Sequence, residues 1–172
     1  MEIHERNAEP WRVTLIDTGE NTMTGGRVKR VASYLSQEEA FCLTYGDGLS
    51  NVNISELIKF HQEHGLNATI TATYPPGRFG ALEISSENFV SSFKEKPIGD
   101  GGMINGGFFV IEPKIFKYIK NDKTYLEREP FEKLAKKKSI KAFKHKGFWQ
   151  CMDTQRDKDL LDKIIKEKKF KI

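Results

Sequence analysis

The sequence predicts an α/β fold, a mixed, mainly parallel sheet flanked by helices, and three consecutive stretches carry that expectation. The apolar run Ala40-Phe41-Cys42-Leu43 ends abruptly in Thr44-Tyr45-Gly46-Asp47-Gly48, the pattern of a buried strand that delivers a carboxylate to a sheet edge. Asn53-Ile54-Ser55-Glu56 then resembles a capping box, and it opens a helix through Leu57, Ile58 and Phe60 that stops at Gly65. From Ala68 to Tyr74, small and apolar residues alternate with threonines, which suits a half-buried strand broken by Pro75-Pro76. Strand, acid, turn, helix and strand in that order are the grammar of an α/β sheet.

The other elements follow in chain order. Trp11 to Thr18 alternates and reads as a strand. After the loop Gly19 to Gly26, positions 28, 31, 32 and 35 have helical spacing, so a helix is expected over Arg27 to Leu35. A Gly25-Gly26 turn at its start can hold an anion on backbone amides with Arg27 as a forked donor, or it can simply be a turn. Two extended pieces, Gly80 to Ile84 and Phe89 to Phe93, precede the charged cluster Lys94-Glu95-Lys96-Pro97. Glycine-rich turns then lead through Asn105 into the strand Phe108 to Ile111. Pro113 to Ile119 and Tyr125 to Lys138 read as helices, Ile140 to Phe143 and Phe148-Trp149 as strands, and an amphipathic helix through Leu160, Leu161, Ile164 and Ile165 closes the chain.

Composition limits the function classes. At 172 residues, with 38% hydrophobic and 30% charged residues, the chain suits one soluble domain able to bury a core. No apolar run approaches the roughly 20 residues of a membrane span, and Met1 to Arg6 lacks the apolar region of a signal peptide, so a cytoplasmic protein is expected. Cys42 and Cys151 sit in strand-like runs without metal-binding spacing and are expected to be buried, reduced thiols. From Lys133 onward there are 14 Lys+Arg against 5 Asp+Glu. Without an accompanying pattern of stacking aromatics, these lysines read as a solvated helix face, and no nucleic acid or membrane partner is expected.

The chemistry is expected to rest on carboxylates. Asp47 closes one strand-like run and Asp153 another, Gly147 to Met152, so the two could converge on one hard cation facing phosphate oxygens. Singly, each is also a residue of turns and helix caps. Glu95 could accept sugar hydroxyls, Lys96 could meet a phosphate, and Asn105 offers an amide beside two glycines. His4, His61, His64 and His145 are scattered and form no motif.

The order T-G-G-R, Y-G-D-G, P-P-G-R-F-G-A-L, K-E-K-P, M-I-N-G-G-F-F-V and G-F-W-Q-C-M-D-T resembles the sugar-phosphate nucleotidylyltransferases, and among them the glucose-1-phosphate cytidylyltransferases, over essentially the whole chain. That resemblance implies a Rossmann-like nucleotide-diphospho-sugar transferase fold. It implies CTP and α-D-glucose 1-phosphate as substrates, CDP-glucose and pyrophosphate as products, and a place early in O-antigen sugar biosynthesis. It further implies Mg²⁺ on Asp47 and Asp153, nucleotide contacts at Thr22, Arg27 and Gly46, and a sugar-phosphate pocket of Gly80, Glu95, Lys96 and Asn105. Asp47, Asp153 and Lys96 would be the catalytic set, in a homo-oligomer. The family's G-G-x-G-T-R loop and K-P-K lysine have no counterpart here. The resemblance therefore implies a single nucleotidyltransferase domain, residues 1–172, truncated on its N-terminal side. Little turnover is expected from this chain alone, because donors to the β- and γ-phosphates would be lacking. Its alternative role is a non-catalytic module that binds sugar phosphate or nucleotide and pairs with or regulates a complete subunit.

Overall fold

The computed structural model describes residues 11–77, 81–94 and 102–167. Apolar residues at alternate strand positions and at helical spacing form a four-stranded sheet covered by helices. Its strands are β1 (Phe41–Thr44), β6 (Ile104–Ile111), β3 (Ala68–Thr73) and β7 (Ile140–Lys144), in that spatial order. Three of them run in one direction. β6 alone runs against them, so it forms antiparallel ladders with β1 and β3 while β3 pairs with β7 in parallel. Two smaller ladders stand apart: β2 (Gly48–Ser50) with β8 (Trp149–Cys151), and the hairpin β4 (Ala81–Ile84) with β5 (Val90–Lys94).

β6 supplies the centre of the core. Phe109 and Ile111 are completely enclosed, together with Ile115 from the 3-10 helix Pro113–Tyr118, Leu126, and Leu134 from α4 (Glu129–Lys136). At about 25 cal/mol per Å² of apolar surface, fully burying each such side chain stabilises the fold by roughly 1.5–3 kcal/mol before entropy is counted.

Helix α3 (Ile54–His64) begins and ends where its caps predict. Asn53 Oδ1 accepts the Glu56 N–H at 3.1 Å, and Gly65 closes the helix in the left-handed conformation at φ +58°. The final helix, α5 (Gln155–Lys166), opens on a reciprocal box between Thr154 and Asp157.

Several expectations are corrected. Trp11 to Thr18 is not a strand: Trp11, Val13 and Leu15 are exposed, and no strand lies beside them among the described residues to complete a ladder. The expected helix over Arg27 to Leu35 instead starts at Thr24 and breaks at Val31 into α1 (Thr24–Arg30) and α2 (Ala32–Leu35). Gly25 and Gly26 lie inside its first turn and donate their amides to the Thr124 carbonyl at 3.0 and 3.3 Å, which leaves neither for an anion. β3 turns its threonines inward: Thr69, Thr71 and Thr73 are buried on one face, while Ile70 and Ala72 on the other are half-buried. Tyr125 to Lys138 is helical only over α4, which opens with Pro130 in its first turn. Neither cysteine forms a disulfide, and neither is fully buried: Cys151 is half-buried, and Cys42 is exposed because it points away from the core on β1, an outer strand of the sheet.

The burial of β3 creates a polar cluster. His61 Nδ1 and His64 Nε2 lie 2.9 and 2.7 Å from the Thr69 hydroxyl, and His64 Nδ1 accepts the Leu66 N–H at 3.0 Å. That last bond assigns the His64 proton to Nε2, which donates to Thr69. Burial holds both imidazoles below the usual histidine range, and for His64 the neighbouring His61 and Lys141 add to it.

Three outcomes follow from this packing. A Cβ on Gly26 would sit 2.6 Å from the Asp122 Cα and carbonyl oxygen, both backbone atoms, so Gly26→Ala should destabilise the chain by roughly 1–3 kcal/mol in urea denaturation. The buried Thr71 hydroxyl has no hydrogen-bond partner among the described residues; Thr71→Val should therefore raise stability by about 1 kcal/mol in the same assay. The unfolded chain takes up protons on histidine near pH 6.5 while His61 and His64 in the fold resist them. Stability should thus be complete above about pH 6.5 and fall as the pH drops below it, and His64→Asn should flatten that slope in denaturation midpoints measured from pH 7.5 to 5.

Candidate functional site

β1 and β2 are separated by the turn Tyr45-Gly46-Asp47, and β8 returns beside β2. The register places Gly48 opposite Cys151, and the Met152 N–H continues the ladder onto the Asp47 carbonyl at 2.9 Å. Asp153 follows immediately. Two exposed carboxylates distant in sequence therefore emerge at one end of a short ladder, and both line a cleft of about 340 Å³ with Tyr45, Pro75, Asn105 and Trp149.

Asn105 enters this cleft from the start of β6. Its Oδ1 accepts the Gly107 N–H at 2.9 Å, and its Nδ2 reaches toward the Tyr45 hydroxyl at 3.5 Å. Gly107 has φ +77°, and a Cβ there would lie 2.9 Å from Tyr45 Cδ2, so both backbone conformation and space call for glycine. Trp149 fixes the same corner by donating its indole N–H to the Gly106 carbonyl at 2.7 Å.

A second cleft, of about 500 Å³, opens on the other side of the turn and is lined by Thr24, Arg27, Gly46, Asp47 and Leu126. Tyr45 borders both clefts. The Arg27 guanidinium is held by the Thr18 hydroxyl at 2.7 Å and the Glu20 carbonyl at 3.1 Å. Thr22 lines neither cleft. It is buried, with its N–H on the Gly19 carbonyl and its methyl against Gly26. Gly80, Glu95 and Lys96 lie outside the described residues.

Sequence reasoning passed over three contributors. The Tyr45 hydroxyl donates to Glu127 Oε1, and Glu127 Oε2 accepts from Thr24 Oγ1 at 2.7 Å. Burial, and then Glu127, push the Tyr45 phenol far above the usual tyrosine range, so it stays a donor at any working pH. An aromatic directly before Gly-Asp-Gly was the available signal for Tyr45; Glu127, more than eighty residues away, had none. The third contributor is Asp157, which the Thr-x-x-Asp spacing could have revealed. Cys151, Asp153 and Asp157 bring ligand atoms within 4.8 Å of one another. The buried Asp157 carboxylate already accepts from the Thr154 N–H, the Thr154 hydroxyl and the Gln150 amide, which makes it a helix cap first.

A larger groove, of about 1010 Å³, follows the outer side of β1. Glu38, Glu39 and Glu112 line it, the last paired with Lys114, which leaves an acidic surface that disfavours phosphates, and none of the candidate residues reaches it.

Residues 4–162 match the family described as nucleotidyl transferase. The chain is 56% identical over 162 residues to the glucose-1-phosphate cytidylyltransferase of Salmonella typhi, which covers 94% of this chain and 63% of that enzyme. It is 41% identical to the probable glucose-1-phosphate cytidylyltransferase of Bacillus subtilis, over 87% of this chain and 58% of that one. The chain thus spans less than two thirds of the length of these relatives. Among solved structures, HddC from Yersinia pseudotuberculosis shares the fold with TM-score 0.61 at 23% identity, over 85% of this chain and 64% of that one. A putative glucose-1-phosphate thymidylyltransferase from Bacillus anthracis does so with TM-score 0.62 at 14% identity, over 85% and 62%. With a family match across nearly its full length, this chain belongs to the nucleotidyl transferase family.

Proposed function

We propose that the cleft between Asp47, Asn105 and Asp153 is the sugar-phosphate and cation end of a site that makes CDP-glucose and pyrophosphate from CTP and α-D-glucose 1-phosphate. The observation that carries this reading is the convergence of Asp47 and Asp153 at one end of the β2–β8 ladder. The names of the cytidylyltransferase relatives reported above support the choice of CTP and glucose 1-phosphate. The reading also places the protein in the cytoplasm, in O-antigen sugar biosynthesis, as a homo-oligomer. Among the described residues, no helix is long and apolar enough to cross a membrane.

The donor set fits Mg²⁺. Two exposed carboxylates are hard oxygen ligands, and this ion is commonly held by one or two carboxylates together with substrate phosphates. Asp47 and Asp153 would hold it, and when bound it neutralises phosphate charge and fixes the geometry of phosphoryl oxygens. The protein's own work is then positioning. Asn105 presents an amide already oriented by Gly107, Tyr45 and Trp149 wall the cleft, and Arg27 and Gly46 line the adjoining cleft that the nucleotide would occupy. Lys96 would meet the glucosyl phosphate, with Glu95 and Gly80 beside the sugar. Nucleotidyl transfer by direct attack of a sugar-phosphate oxygen needs no histidine or serine nucleophile.

Binding without turnover is a second reading, supported by the Gly25 and Gly26 amides. Both are donated to the Thr124 carbonyl, so this glycine pair holds protein rather than a triphosphate.

Calorimetric titration of the chain with glucose 1-phosphate and with CTP, each with and without Mg²⁺, tests the assignment. Binding should depend on Mg²⁺, and CTP should be preferred to GTP. Asp47→Ala or Asp153→Ala should each weaken the cation-dependent part at least about 10-fold, since loss of even an outer partner of a metal costs 10- to 100-fold. Equal affinity with and without the cation would refute the metal assignment. Pyrophosphate release from CTP and glucose 1-phosphate separates the two readings: a signal above the Asp47→Ala control makes the chain an enzyme by itself, and none leaves it a binding module.

A further inference from the structure

The Tyr45 side chain is the partition between the two clefts, and its hydroxyl is the middle of a hydrogen-bond chain that joins segments far apart in sequence. Asn105 Nδ2 approaches the hydroxyl from β6 at 3.5 Å, and the hydroxyl donates to Glu127 Oε1. The other Glu127 oxygen accepts from Thr24 Oγ1 at 2.7 Å, and Thr24 Oγ1 accepts the Leu126 N–H at 3.0 Å. Thr24 lies one turn before Arg27 on α1, so both face the second cleft. One end of the chain therefore stands in the cleft of Asp47, Asn105 and Asp153, and the other in the cleft of Arg27 and Gly46.

The partition has little freedom of its own. Its ring lies edge-on to Phe109 at 5.4 Å and packs against Gly107 so closely that a Cβ there would sit 2.9 Å from Tyr45 Cδ2. A ligand that draws Arg27 and α1 into the second cleft thus acts on Thr24 and Glu127, and through them on the hydroxyl that the amino side of Asn105 approaches. Both Glu127 oxygens accept hydrogen bonds, one from Tyr45 and one from Thr24, so its carboxylate is tied to both side chains at once.

We propose that the Tyr45–Glu127 pair couples the two clefts, so that nucleotide bound beside Arg27 raises the affinity for sugar phosphate beside Asn105. This inference rests on the assignment of the clefts made above. Tyr45 acts in it as a positioning residue: its hydroxyl works through Asn105 and Glu127.

The test is a double-mutant cycle on a coupling factor. Glucose 1-phosphate is titrated calorimetrically into the chain in Mg²⁺, with and without saturating α,β-methylene CTP, which cannot be turned over. The wild-type chain should bind glucose 1-phosphate about 5-fold or more tightly with the nucleotide present, the lower end of ordinary coupling between sites. Tyr45→Phe and Glu127→Gln should each bring that factor toward one, and the double variant should lower it no further. Melting temperature separates this from a merely structural role: Tyr45→Phe that lowers the melting temperature while keeping the factor overturns the proposal. If Tyr45→Phe does not fold, Glu127→Gln carries the same test, since it keeps the shape and a hydrogen-bonding oxygen. A wild-type chain that binds both ligands independently overturns the coupling and leaves the cleft assignment standing. One that binds neither removes the assignment and the coupling with it.

Discussion

β6 joins β1 to the rest of the described sheet. One of its edges takes β1 and the other takes β3, so the strand that delivers Tyr45 and Asp47 is tied to the rest of the sheet through a single neighbour. The same strand is buried over its second half by Phe109, Val110 and Ile111, while its first half opens into the Asn105-Gly106-Gly107 corner of the cleft. Core and site are successive halves of one strand. Gly107 marks the junction, where a left-handed residue lets the chain turn the Asn105 amide outward and leaves space for the Tyr45 ring.

The parts of the fold legible in the sequence were those written in local chemistry. Asn53 and Gly65 bracket α3 because side-chain capping and a left-handed stop act within a few residues, and the apolar run before Gly46 does form β1, although only Phe41 and Leu43 face the core while Cys42 is exposed, so the strand is covered on one face and not on both as a continuous apolar run implies. Trp11 to Thr18 shows where such reasoning fails. Alternation describes what a strand needs from its own residues, and a ladder also needs a neighbour that local sequence cannot supply. Gly25-Gly26 fails for the opposite reason. Its local chemistry allowed an anion site, but close approach of the loop at Asp122 and Thr124 claimed both amides and all the space.

The grouping of the candidate residues was legible to the same degree. Asp47, Asp153 and Asn105 announced themselves through glycines and strand ends, and the structure brings them to one cleft. Arg27 and Gly46 fall on the neighbouring one, whereas Thr22 belongs to the turn that supports α1. What sequence could not show was the pairing across distance: Tyr45 with Glu127, and Glu127 with Thr24, are contacts between segments that nothing in their local pattern relates.

The β2–β8 ladder has only three residue pairs, yet both aspartates depend on it. A local opening that parts Gly48 from Cys151 withdraws the two carboxylates together, whatever the large sheet does. Such short ladders open far more often than a core does. On the proposed reading, a cation held by Asp47 and Asp153 would stay no longer than those few backbone bonds last, and substitutions that tighten the ladder at Leu49 or Gln150 would lengthen its stay without touching either carboxylate.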